Sequence, residues 1–283
     1  MLQLNNPGAE LFIPDGANED EALQRTTQMA IGAHPDDLEI MAYHAIIACF
    51  GKADEWFTGI TVTDGAGSPR DDLYADYTDE RMRLIRKVEQ KKAAMIGEYS
   101  LVALLDYPSS AVKDPTNEQV ISELAEIIRQ TSPRVISTHN LADKHDTHVS
   151  VALRTIQALR TLPSEVRPEK LYGCEVWRDL DWMLDENKVA FDVSAHDNIA
   201  TALTGVMDSQ ICGGNRYDLA TMGRRRANAT YYATHGVETA TSMIFAMDLT
   251  PLIEDDSLDI GQYVAEHINR FANEVSDRLH RLT

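Results

Sequence analysis

Two short polar segments hold the residues best suited to chemistry. The first is Ile31-Gly-Ala-His-Pro-Asp-Asp37, where the imidazole of His34 and the carboxylates of Asp36 and Asp37 fall side by side. The second is Asp143-Lys-His-Asp-Thr-His148, which adds His145 and His148, with His139 shortly before it. Imidazole and carboxylate together make a divalent metal site, and a carboxylate left over is placed to act as a base. Two aspartates ahead of a helix also have a purely local use, as caps for free backbone N–H groups. The recurrence of histidines at a second strand end, far along the chain, favours the metal.

The segments around them dictate how they are held. Thr27 to Ile31 reads as a buried strand, and Leu38 to Phe50 as a helix that is apolar round most of its circumference until Gly51. Pro35 suits the first helical turn, and both carboxylates lie at the positive end of the helix dipole. Val135 to Thr138 reads as the strand before the second elbow, with a helix from Val149. Between the elbows come a strand at Trp56–Val62 with a Gly-rich turn to Pro69, a helix from Thr78 to Gly97, and a strand at Leu101–Leu105. A helix carrying Val120, Ile121, Leu124, Ile127 and Ile128 follows. Met82, Ile85, Val88 and Met95 suggest an apolar stripe on the helix before Gly97. This alternation predicts an α/β fold: a Rossmann-like, mostly parallel sheet with helices on both faces and both elbows at its carboxyl edge.

Taken together, Ala33-His-Pro-Asp-Asp37 and His145-Asp-Thr-His148 resemble the two signatures of the PIG-L/LmbE-like family of zinc-dependent N-deacetylases. The resemblance spans residues 27–180 and is fainter beyond. It implies His34, Asp37 and His148 as metal ligands, for Zn2+ or for Fe2+, which the same donors accept. It implies Asp36 as the general base and His145 as a cationic or hydrogen-bonding partner of the oxyanion. The reaction implied is hydrolysis of an N-acyl group, most often N-acetyl on an amino sugar. Arg86-Lys-Val-Glu89 matches the family's Arg-x-x-Glu pair, which would send Arg86 toward substrate oxygens; an ordinary salt bridge on a wet helix is the other reading.

The chain departs from that pattern twice. Thr147 stands where many members carry the acid that orients the first histidine of the pair, leaving Asp143 or Asp146 to substitute. Ser109 and Ser110 follow Tyr107-Pro where an aspartate is common, which points to a changed substrate. Other candidates rest on the residues alone. Asp64, in the Gly-rich turn, is a substrate residue or turn chemistry. Arg178 is a substrate anchor beside Trp177 and Trp182, which form either a sugar-stacking wall or part of the core. His139 is a metal ligand or a residue behind the ligands, and His44 a satisfied core histidine.

Composition narrows the alternatives. The chain has 283 residues, 43% hydrophobic, and a formal charge of −19. That charge argues against nucleic acid and against anionic membrane. Arg224-Arg-Arg226 is the one dense basic run and reads as a solvated or salt-bridged helix face. Cys49, Cys174 and Cys212 read as reduced, packed thiols. With neither a leader-like start nor a membrane-length apolar run, a soluble cytoplasmic enzyme acting on a small molecule is expected. Residues 1–26 read as an arm anchored by Leu11-Phe-Ile13 on the surface or on a neighbouring subunit of a homo-oligomer. Residues 27–283 read as a single domain, with a core at 27–180 and a smaller C-terminal α/β extension at 181–283. In that extension a short strand is expected at 187–193, helices at 195–210 and 216–233, an edge strand at Thr241–Met247 and a closing helix at 258–281. The alternatives are an amidase for a non-sugar or thiol–sugar amide, or a metal-binding homologue without activity. A nucleotide site is disfavoured, because the paired carboxylates would repel phosphate.

Overall fold

The computed structural model describes residues 2–283. In chain order the elements are β1 (Glu10–Phe12), α1 (Glu19–Gln24), β2 (Gln28–Gly32), α2 (Asp37–Met41), α3 (Tyr43–Cys49), β3 (Phe57–Thr63) and α4 (Asp79–Ile96). There follow β4 (Leu101–Tyr107), α5 (Ser109–Lys113), α6 (Glu118–Thr131), β5 (Val135–His139), α7 (Asp146–Thr161) and β6 (Lys170–Cys174). The chain closes with β7 (Lys188–Asp192), α8 (Asp197–Gly205), α9 (Asp208–Ile211), α10 (Tyr217–Tyr231), β8 (Met243–Asp248), α11 (Pro251–Glu254) and α12 (Ile260–Leu282).

One eight-stranded sheet runs β1-β4-β3-β2-β5-β6-β8-β7. The strands from β4 through β6 in that order are parallel, and β1 and β8 are antiparallel to their neighbours. Interior parallel strands are covered on both faces, so β3 and β4 are buried along their whole length. Alternate residues feed two cores: Met29 and Ile31 of β2 point into one, and Ala30 between them into the other. The α/β architecture with helices on both faces is therefore as expected.

The strand order reverses at β2, which lies between β3 and β5. In open α/β sheets that is where a crevice opens beyond the carboxyl ends of the strands. The first elbow leaves β2 there and the second leaves β5. At the start of α2 the helix comes so close to β2 that a Cβ on Gly32 would stand 3.0 Å from Asp37 Cβ.

Three local expectations need correction. The helix expected from Leu38 breaks at Ala42 into α2 and α3, because the Arg225 guanidinium takes the carbonyl oxygens of Glu39 and Ile40 at 2.7 and 3.2 Å. The strand near Met247 is not an edge: β8 pairs with both β6 and β7, and β7 is the edge. On α4, Val88 and Met95 are exposed while Arg86, Lys87, Glu89 and Gln90 are buried. From the N-terminal arm, residues 10–12 join the sheet beside β4, and Leu11 and Ile13 pack on the core. No helix among the described residues is long and apolar enough to cross a membrane.

Candidate metal centre

Three donor atoms converge at the β2/β5 crevice. His34 Nδ1 lies 3.3 Å from Asp37 Oδ2 and 3.2 Å from His148 Nε2, and His148 Nε2 lies 3.4 Å from Asp37 Oδ1. Ligand atoms each about 2.1 Å from a tetrahedral ion stand about 3.4 Å apart. Two ring nitrogens and a carboxylate at this spacing fit a divalent cation well. Metal-capable groupings also include His145 with His34 and His148, and His139 with Asp37 and His148.

His139 places Nε2 3.4 Å from Asp37 Oδ2 but is engaged by a hydrogen bond of its own. Its Nε2 accepts the Ala33 backbone N–H at 2.9 Å, which occupies the lone pair and leaves the proton on Nδ1. The ring stacks on His148 with centroids 3.9 Å apart. His139 thus holds the backbone leading into His34 and backs the His148 ring.

Asp143 supports the second elbow. Its carboxylate accepts the backbone N–H groups of His145 and Trp177 at 2.9 and 3.0 Å. The same carboxylate stands 3.6 Å from His148 Nδ1, behind the ligand histidine as in carboxylate–histidine–metal arrangements. Asp146 makes no such contact with a histidine ring and is exposed. His145 Nδ1 is buried with no hydrogen-bond partner among the described residues.

Electrostatics divide the two adjacent aspartates. Burial works against charge on Asp37, yet His148 and His139 hold its carboxyl well below the usual range. Burial pushes Asp36 up to about 8; Asp37 and Glu39 add to the rise and the Arg86 guanidinium opposes it. One carboxyl is thus set to stay ionised and the other to exchange a proton. Burial drives His34 down to about 4 and lowers His145, while Asp37 and Asp143 raise His148 against its burial.

Asp36 is held in a backbone conformation rare for a side chain-bearing residue, φ 107°. A buried chain of hydrogen bonds anchors it. Its N–H donates to Gln90 Oε1 at 3.2 Å, Gln90 Nε2 donates to Glu39 Oε1 at 2.8 Å, and Tyr99 OH donates to the same oxygen at 2.7 Å. Burial raises Glu39 to about 7. Neither Gln90 nor Glu39 was singled out in the sequence. The signal was there: Met82, Arg86, Glu89, Gln90 and Ala93 recur at helical spacing as a polar inner face of α4.

The remaining candidates are distributed unevenly. Arg86 reaches the site rather than Glu89: it donates to Gly65 O at 3.1 Å and to Pro35 O, and lies 3.4 Å from Asp36 Oδ1. A Cβ on Gly65, whose φ is +64°, would stand 2.8 Å from the Arg86 guanidinium. Glu89 instead accepts the backbone N–H and hydroxyl of Ser209 at 2.7 and 2.6 Å, tying α4 to α9. Asp64 caps its own turn through Ala66 N at 3.0 Å, and neither Asp64 nor Arg178 lines the cavity. Trp177 does line it, whereas Trp182 packs on the core.

Donor atoms and Asp36 lie within a cavity of about 800 Å³. Its walls include Trp177 and Tyr217, with ring centroids 6.0 Å apart, and Ser109 and Lys113 from the β4–α5 segment. Tyr217, Ala220, Thr221 and Arg224 line it from one face of α10. The basic run is therefore not a solvated face: Arg225 is buried and Arg224 turns to the cavity, because α10 packs against the site. Arg226 alone is exposed, paired with Asp197 at 2.6 Å.

No curated protein matches the chain in sequence. Among solved structures, the 4-carboxy-2-hydroxymuconate hydratase GalB of Pseudomonas putida KT2440 aligns with TM-score 0.63 at 14% identity, over 79% of this chain and 95% of its own. The N,N'-diacetylchitobiose deacetylase of Pyrococcus horikoshii aligns with TM-score 0.59 at 15% identity, over 78% and 83%. The A40926 pseudoaglycone deacetylase Dbv21 aligns with TM-score 0.56 at 15% identity, over 80% and 98%. At such identities the likeness establishes a shared fold. Residues 29–159, which hold both elbows, match the PIG-L family, described as GlcNAc-PI de-N-acetylase.

Proposed function

We propose that the protein is a metal-dependent hydrolase that removes an N-acyl group, in the first instance N-acetyl, from an amino sugar or related small molecule. The observation that carries this reading is the convergence of His34, Asp37 and His148 donor atoms beside the free carboxyl of Asp36, inside the segment matched to the PIG-L family. A Zn2+ or Fe2+ ion on those three residues would supply the Lewis acidity that makes water nucleophilic near neutral pH. Asp36 takes the proton from the attacking water and returns it to the leaving nitrogen as the C–N bond breaks, giving amine and carboxylate. Burial makes Asp36 a stronger base than a solvated aspartate. His145, kept neutral by burial, donates a hydrogen bond to the carbonyl oxygen as negative charge develops there. Arg86 fixes the peptide at Pro35 and the Asp36 carboxylate together. Trp177 and Tyr217 offer aromatic faces for a sugar ring.

A second reading has its own support. Lys113, Lys144 and Arg224 line the cavity with no ion-pair partner among the described residues, an arrangement that suits a carboxylated or phosphorylated substrate. Addition of water to a carboxylated unsaturated compound, the activity that the name of GalB states for that protein, would use such a lining. Acetate release from a panel of N-acetylated amino sugars, neutral and phosphorylated, tests the leading reading. Release that disappears in Asp36→Ala supports it. No release from any N-acetyl compound, with water addition to 4-carboxy-2-hydroxymuconate, would replace it by the second.

A further inference from the structure

The longest helix among the described residues has no fully buried side chain. None of the 23 residues of α12 is buried, yet the helix is sharply two-sided. Ile268, Phe271, Val275, Leu279 and Leu282 recur at three- and four-residue spacing and stand 37 to 73% exposed. Its first turns are fastened to the body: Ile260 and Tyr263 pack on the core, and Tyr263 OH donates to Asp248 O. Farther along, Arg270, Asn273, Asp277 and Arg281 share a shallow groove with Leu184, so the polar side turns inward and the apolar stripe outward. Water is a poor solvent for such a stripe, and helices of this kind draw their stability from a packed apolar face.

Charge selects what covers it. α12 carries Arg270, Arg278 and Arg281 against Glu266, Glu274 and Asp277, a balanced set on a chain of formal charge −19. A lipid surface calls for an excess of cations on the polar side, which is lacking. For two copies of this anionic chain, a helix with no net charge is a face on which approach meets little repulsion.

Spacing selects how they meet. From Val264 to Leu282 the apolar positions are spaced by 4, 3, 4, 4 and 3 residues and read nearly the same in either direction. An antiparallel copy with Phe271 level with Val275 places Val264 level with Leu282 and Ile268 beside Leu279. Ala265 and Ala272 on the shoulder of the stripe let the two axes approach closely. The five large side chains expose roughly 500 Å² per helix, so covering them fully in a pair reaches about the 1,000 Å² threshold of a biological interface. We propose that two copies of this chain form a two-fold dimer by antiparallel pairing of α12. The pairing is independent of the activity proposed above.

Sedimentation equilibrium on the full chain at micromolar concentration tests it. The wild type should have twice the 31.6 kDa chain mass, and Phe271→Glu and Val275→Glu should have the chain mass while keeping the unfolding midpoint of the body. For the register, Cys212→Ser protein carrying Val264→Cys is mixed with Cys212→Ser protein carrying Leu282→Cys under mild oxidation. A disulfide between the two, and none within either alone, is the expected result. A monomeric wild type, a dimer that survives both glutamate substitutions, or self-linking of the Val264→Cys protein would overturn the proposal.

Discussion

Asp36 is the residue on which most of the local structure acts. Its φ of 107°, its N–H bond to Gln90 and its contact with Arg86 all fix where one carboxyl stands. Asp36→Asn should keep metal binding and lower kcat for acyl hydrolysis by about 10²–10⁴, the usual contribution of a positioned base; steady-state kinetics beside metal analysis checks both parts. Gln90→Leu removes the acceptor of the Asp36 N–H while leaving the donors untouched, so kcat should fall at least several-fold with metal content unchanged. Glu39 gives a test by pH. Its carboxyl, raised by burial to about 7 from 4.5, keeps its proton in the folded chain where the unfolded chain has lost it. Folding is therefore favoured most below the unfolded value, and that stability is lost as pH rises toward 7. The urea midpoint of the wild type should decline more between pH 5 and 7 than that of Glu39→Gln. Equal slopes would remove Glu39 as the cause.

At the scale of elements, the site is made where β2 and β5 end, and that much could be read in advance. Their apolar runs stop at His-bearing elbows, and buried parallel strands leave a continuous hydrophobic signature. The helices that wall the site were harder to read. α4 and α10 turn Arg86, Glu89, Gln90, Arg224 and Arg225 inward, so a search for apolar stripes finds the wrong face of one and takes the other for a solvated surface. Ser109 and Lys113, by contrast, line the cavity from the segment whose departure from the family pattern already pointed to substrate. Tertiary hydrogen bonds across long sequence separations, such as Ser209 to Glu89, have no local periodicity to betray them. Ser209→Ala should cost about 1–3 kcal/mol in urea unfolding, as a buried carboxylate oxygen loses its donor. It should also raise KM, since α9 leads into the Asn215–Tyr217 wall of the cavity.

For the whole molecule the decisive contrast is electrical. A chain of charge −19 gathers Lys113, Lys144 and Arg224 round one crevice and leaves a neutral helix on its outside. The crevice should therefore favour an anionic small molecule. KM for a phosphorylated N-acetyl sugar should rise several-fold between low and physiological salt, while KM for its neutral counterpart stays level. The central claim, however, is that His34, Asp37 and His148 hold a metal that Asp36 needs for N-acyl hydrolysis. Metal analysis on the purified protein, before and after chelation, with acetate release followed in parallel, tests it most directly. The account predicts one Zn2+ or Fe2+ per chain, loss of acetate release when it is stripped, return on adding it back, and no binding once His148 and Asp37 are both replaced by alanine. Full acetate release from the stripped protein, or a stoichiometric metal retained by that double variant, would contradict it.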